Sequence, residues 1–257
     1  MHEEDVMELL HEVFDPSMPR LGPGDDDATG RALRSALAVM PKGGSAAELR
    51  VLDLGCGNGT QTIQLARHTG AHILAVDNYQ PYLDELRRRA IAAGVSGRIE
   101  TRLGDMANLG LANESFDLIW SEGALYAMGV HNGLRAYYPV LVRGGCFGLT
   151  EMCWFRPDVP DQCRQFLEDA YPAMTDVETN LAAMRDCGYK IIDHFSLPES
   201  AWQGVLYVPL QERVHAFRAR HAAEPEKLKF GDLMQAEIDN CNKFSRYFGY
   251  EFFVLQR

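Results

Sequence analysis

The sequence predicts an α/β fold built on parallel strands, and three observations carry the prediction. The apolar run Val51-Leu52-Asp53-Leu54 is followed by glycines at 55, 57 and 59 and then by helical spacing from Gln61 to Arg67, which reads as a strand, a turn without side chains and a helix start. A second apolar run, His72 to Val76, ends in Asp77, where a neighbouring parallel strand would bring a carboxylate to the same crevice. Downstream, short apolar runs alternate with segments of helical periodicity, as expected for strands joined by crossover helices.

Length and composition bound the function. A chain of 257 residues accommodates one sizeable α/β domain with a cap. The formal charge of −11 argues against a nucleic-acid partner, because affinity for a phosphate backbone comes mainly from Lys and Arg. The one basic run, Arg87-Arg88-Arg89, reads as the solvated face of a helix. The six cysteines (56, 146, 153, 163, 187 and 241) form no C-x-x-C pair, so reduced thiols and no metal are expected. The acidic start Met1-His2-Glu3-Glu4-Asp5 lacks the order of a signal peptide. No apolar run approaches the roughly 20 residues of a membrane helix. The expectation is a cytoplasmic protein without a membrane partner, its oligomeric state left open.

In chain order, Val6 to Phe14 keeps helical spacing, and Pro16 to Gly24 is a Pro/Gly-rich loop. Asp25-Asp26-Asp27 opens a helix over Thr29 to Met40, and the small residues of Lys42 to Ala47 link it to a strand over Leu49 to Leu54. Pro81 to Ala93 is a helix closed by Gly94. Strands follow at Ile99 to Leu103, before Gly104-Asp105-Met106, and at Ser115 to Trp120. A helix over Gly133 to Val142 turns at Arg143-Gly144-Gly145 into a strand over Cys146 to Met152. Helices are expected at Asp161 to Tyr171 and Thr175 to Cys187, then a strand over Tyr189 to Leu197. The stretch from Trp202 to Tyr247 is too long for a structureless loop and reads as two helices, Pro209 to Ala222 and Pro225 to Tyr247. Tyr250 to Leu255, rich in aromatic and branched residues, reads as a closing antiparallel strand.

A carboxylate at Asp77 suits a ribose diol, whose two hydroxyl hydrogens it can accept. The glycines fall as G-x-G-x-G rather than the dinucleotide pattern G-x-G-x-x-G. With Gly104-Asp105-Met106 and Phe116-Asp117-Leu118-Ile119-Trp120 downstream, the order resembles the class I S-adenosylmethionine-dependent methyltransferases over roughly Leu49 to Glu151. The run Trp120-Ser121-Glu122-Gly123 resembles their type 11 small-molecule group. The resemblance implies a doubly wound, seven-stranded, mostly parallel sheet with S-adenosylmethionine as cofactor. It implies that residues 1–48 are N-terminal helices and a loop covering the cofactor. Residues 49–257 would be the methyltransferase domain, with a helical cap from insertions at about 153–174 and 199–247. Cofactor contacts would come from Arg20 and Gly22 in the loop, then Asp53, Gly55, Cys56, Gly57, Gly59 and Gln61 at the first turn. Asp77 and Asn78 would serve the ribose, Asp105 and Met106 the adenine, with Ser121 at the end of the fourth strand.

The methyl of a sulfonium is already activated, so alignment of the acceptor is the main task and a base is optional. Where a proton must leave, Glu122 and Glu151 are the candidate bases, beside Tyr126. Trp154, Tyr171, Trp202 and Tyr207 are candidate substrate contacts in the cap, for a small-molecule acceptor with an amine among the candidates. A nicotinamide-dependent oxidoreductase and a noncatalytic cofactor-binding protein remain the alternatives.

Overall fold

The computed structural model describes residues 3–41 and 49–257. The linker expected at Lys42 to Ala47 lies outside them. A sheet runs in the order β3-β2-β1-β4-β5-β8-β7, with strands β1 (Arg50–Leu54), β2 (His72–Asp77), β3 (Ile99–Leu103), β4 (Phe116–Glu122), β5 (Leu141–Trp154), β7 (Lys190–Ser196) and β8 (Phe248–Gln256). The first five are parallel, and β8 is antiparallel to both β5 and β7. The expected seven strands are therefore present, and a two-residue strand not foreseen, β6 (Thr175–Asp176), pairs with the far end of β5. Strand order reverses between β1 and β4, so a crevice opens beyond their carboxyl ends.

Helices α1 (Glu3–Val13), α2 (Asp26–Val39), α3 (Thr60–Thr69), α4 (Gln80–Ala92), α5 (Val130–Tyr137), α6 (Asp161–Ala170), α7 (Val177–Asp186), α8 (Val208–Arg220) and α9 (Pro225–Phe244) cover the sheet. Their ends follow local chemistry. Asp25 caps α2 by accepting from the Ala28 N–H at 2.8 Å, and Asp176 caps α7 by accepting from Thr179. Gly70 and Gly94, both at positive φ, stop α3 and α4. One face of the sheet packs against α2, α3, α4 and the cap, and the other against α5 and α7. Trp120 and Phe147 are fully buried on opposite sides.

Two expected boundaries move. The helix placed over Gly133 to Val142 ends at Tyr137, because β5 already pairs with β4 at Leu141. A register shift then absorbs the turn at Gly144, whose φ is +79°. Before α8 the chain makes a 3₁₀ turn at Glu199–Ala201 and a π turn at Gln203–Tyr207. Both fall where a helix was expected only from Pro209.

Candidate active site

The turn after β1 is built for close backbone approach. Gly55 and Gly57 have φ of +66° and +52°, a region that L side chains rarely adopt. A Cβ on Gly55 would stand 2.3 Å from Ala124 Cβ, so the turn also packs directly on the loop after β4. The Gly57 N–H donates to Asp77 Oδ2 at 2.9 Å, and the Tyr79 N–H donates to Oδ1 at 3.0 Å. Each carboxylate oxygen keeps a further lone pair for a ligand. Burial pushes the Asp77 carboxyl up, and those backbone donors partly oppose it.

Asp77 and Asp105, from the ends of β2 and β3, open onto the same cavity of about 570 Å³, together with Gly55, Cys56, Gly57 and Gln61. Asn78, Met106, Gly22 and Arg20 line it too. That volume lies in the ordinary range for small-molecule sites, about 300–1,000 Å³. The other wall is the N-terminal segment: His11 and Phe14 line the cavity, and the His11 ring stacks on Tyr79 at 3.5 Å.

The segment from Pro16 to Arg20 is strapped across the turn by its own carbonyls. Asn58 donates to the Met18 carbonyl at 2.7 Å, as does Arg89, and the Thr60 hydroxyl donates to Pro19 at 2.9 Å. Arg89 therefore leaves the solvated face expected for the triple-arginine run, while Arg87 and Arg88 pair on the surface with Asp84 and Glu85. At the end of the strap the guanidinium of Arg20, only 4% exposed, forms an ion pair with Glu122 Oε2.

Glu122 Oε1 accepts from the Thr29 hydroxyl at 2.8 Å and from Trp120 Nε1 at 2.7 Å. Three donors are committed to this carboxylate, which clamps strap, α2 and β4 together while lining the cavity. Three of the expected cofactor contacts also stand back from the cavity. A Cβ on Gly59 would lie 2.0 Å from Leu86 Cδ1, so this glycine serves the packing of α3 on α4. The Ser121 hydroxyl is buried and donates to the Leu54 carbonyl at 3.1 Å. Asp53 lies beneath the turn: its Oδ2 accepts from the Thr62 hydroxyl at 2.5 Å, its Oδ1 has no protein partner, and burial pushes it up to about 7.

A second hollow of about 280 Å³ adjoins the first and shares Gly22, Gly123, Tyr126 and Glu237 with it. Tyr126, Glu151, Tyr171 and Tyr207 line it. The two tryptophans do not. Trp154 packs on Phe248 beneath Arg164, and Trp202 packs among Tyr207, Phe248 and Tyr250, so both are buried supports of the cap. Glu237 and Tyr250 line the hollow and had not been singled out. The available signal for Glu237 was its place among Met234, Ile238 and Cys241, an acid on the buried stripe of α9.

Burial pushes the Glu151 carboxyl up to about 7, against a hydrogen bond from Tyr171. A carboxyl raised in the folded chain binds its proton more tightly there than in the unfolded chain. Its stabilising effect is therefore complete below the unfolded value and lost as pH rises toward 7. From the ordinary carboxyl value of 4.5, the rise corresponds to about 3 kcal/mol. Denaturant titrations from pH 5 to pH 8 are expected to show stability falling in the native chain and a shallower fall in Glu151→Gln. Parallel pH profiles would remove Glu151 as the source.

Residues 51–145 match the methyltransferase domain family. Over that stretch the chain is similar to a methyltransferase domain. Its similarity to the sterol 24-C-methyltransferase of Neurospora crassa is 28% identity over 162 residues, 59% of this chain and 42% of the relative. The methyltransferase GfsG of Streptomyces halstedii is 32% identical over 104 residues, 40% of this chain and 37% of that protein. The chain thus spans about two fifths of the length of the curated relatives it matches. Among solved structures, a Geobacter sulfurreducens S-adenosylmethionine-dependent methyltransferase in complex with S-adenosylhomocysteine superposes at a TM-score of 0.79. The identity is 21%, covering 97% of this chain and 98% of that one. The [4+2]-cyclase SpnF superposes at 0.73, with 20% identity over 98% of this chain and 92% of its own. The same architecture thus serves a methyltransferase and a cyclase, and the fold alone does not decide between their chemistries.

Proposed function

We propose that the chain transfers a methyl group from S-adenosylmethionine to a small-molecule acceptor. The observation that carries the reading is the joining of two cavities: the one at the glycine turn, bearing Asp77 and Asp105, opens beside a covered hollow bearing Glu151. The residues fit an adenosyl group. The Asp77 carboxylate keeps lone pairs for a ribose diol, Asp105 lines the same cavity, and the turn at Gly55 and Gly57 lets backbone approach a ligand closely.

When bound, S-adenosylmethionine supplies an activated methyl. The chain's own residues bind, orient and exclude water. Asp77 fixes the glycine turn and meets the ribose. The strap from Pro16 to Gly22, held by Asn58, Thr60 and Arg89, covers one side of the donor. The clamp between Arg20 and Glu122 keeps that strap registered against the end of β4. The hollow beside Tyr126 gives an acceptor room next to the donor, which a purely cofactor-sensing protein would not need. Such positioning contributes as much as about 7–11 kcal/mol to a displacement. Among the described residues no helix is long and apolar enough to cross a membrane. Six free cysteines, five of them buried, support a reducing compartment such as the cytoplasm.

Calorimetry with S-adenosylmethionine, S-adenosylhomocysteine and NAD tests the reading, and preference for NAD would reject it. Asp77→Ala is expected to weaken S-adenosylhomocysteine binding about 10- to 100-fold, corresponding to about 1–3 kcal/mol for a lost charged acceptor. Unchanged affinity in a folded variant would place the ribose elsewhere.

A further inference from the structure

The acceptor hollow carries a charge pattern that positioning alone does not use. Two carboxylates, Glu151 on β5 and Glu237 on α9, face into it, and among the described residues no lysine, arginine or histidine lines it. The buried guanidinium of Arg20 lines the neighbouring cavity and is committed to Glu122. The remaining walls are largely apolar or phenolic, including Phe166, Leu206 and Tyr250. Glu237 is one of the few residues common to both cavities, and its Oε1 lies 3.4 Å from the Tyr207 hydroxyl. It stands where the acceptor meets the donor.

Resting on the methyl-transfer reading above, we propose that the acceptor is a small amine with an apolar body, held as its ammonium between Glu151 and Glu237, and that Glu237 takes the proton lost on methylation. An anionic acceptor would face two carboxylates with no counter-charge. A neutral one would leave both acids without a counter-charge, their burial offset only by hydrogen bonds from Tyr171 and Tyr207. An ammonium supplies the missing charge, and the ring faces of Tyr126 and Tyr171, which meet edge to face at 5.8 Å, add attraction for a cation. Burial pushes both carboxyls up, so each gains from a cation beside it.

The proton balance is simple. The acceptor's N–H bond breaks with its proton passing to a Glu237 oxygen, and the freed nitrogen pair forms the N–C bond. The C–S bond of the donor breaks with its electrons left on sulfur. Neither family similarity nor motif pointed to Glu237, which lies on α9 outside the matched residues 51–145.

The test is a charge comparison at constant shape, in the presence of saturating S-adenosylhomocysteine. Benzyltrimethylammonium, its uncharged carbon isostere neopentylbenzene and the anion phenylacetate are titrated by calorimetry. The ammonium is expected to bind at least tenfold tighter than the isostere, and phenylacetate to show no measurable binding. In E237Q the ratio of ammonium to isostere affinity is expected to fall to threefold or less, and E151Q carries the same comparison should E237Q fail to fold. Equal binding of ammonium and isostere, binding of phenylacetate at comparable strength, no ammonium binding at millimolar concentration, or an unchanged ratio in both variants would overturn the proposal. If the unaltered chain did not bind S-adenosylhomocysteine, the methyl-transfer reading would fall with it. If that ligand binds and the hollow ignores charge, this inference falls alone.

Discussion

Glu122→Ala is expected to lose about 3–5 kcal/mol of stability, the loss typical of removing one partner from a buried ion pair. The side chains of Arg20 and Glu122 are 4% and 2% exposed, so neither charge is served by solvent. Removal of the carboxylate would strand the Arg20 guanidinium, the Thr29 hydroxyl and the Trp120 indole N–H together. A guanidinium chloride titration would show an earlier midpoint with little change in slope. Glu122→Gln, which keeps an acceptor oxygen, should lose less. A loss below about 1 kcal/mol, the range of exposed pairs, would mean that the clamp is open in solution.

Gly59→Ala is the second large expected effect. The left-handed φ of +83° costs a non-glycine residue about 1–3 kcal/mol. The added Cβ would also lie 2.0 Å from Leu86 Cδ1 and 2.8 Å from its Cγ, so α4 must shift at a further cost of about 1–3 kcal/mol. Gly94→Ala provides the control. Its φ of +70° is similar, but no atom lies within 4 Å of the added carbon, and only the conformational part should appear, about 1–2 kcal/mol. Equal thermal midpoints for the two variants would show that Leu86 yields without cost.

The order of strands and crossover helices through β5 was legible because each element carries its own local signal. Val51 to Leu54 is buried along its whole length and apolar except at Asp53, Gly70 and Gly94 end their helices, and Asp25 caps α2. The candidate donor cavity was legible for a related reason: Gly57 and Asp77, joined by a hydrogen bond, lie at adjacent strand ends, and chain order fixes their proximity. The interior of the cap was not. Trp154 and Trp202 have the chemistry of ligand contacts, and only the packing of Phe248 and Tyr250 shows that they face inward. Glu122 looked available for proton transfer because its partners Arg20 and Thr29 are remote in sequence. Glu237 went unnoticed because α9 has no motif, and its neighbours come from β5, α6 and the π turn.

The clamp on Glu122 bears on how the molecule comes apart. Its three donors belong to the N-terminal strap, to α2 and to β4, so the leading segment and the centre of the sheet share one buried polar knot. Trimming the chain back to the first strand would expose the face covered by Ala32, Leu33 and Ala36 and abandon a carboxylate inside the remainder. The leading segment is thus no detachable accessory: it is expected to melt with the sheet as a single cooperative unit, with neither part surviving as an independent fragment.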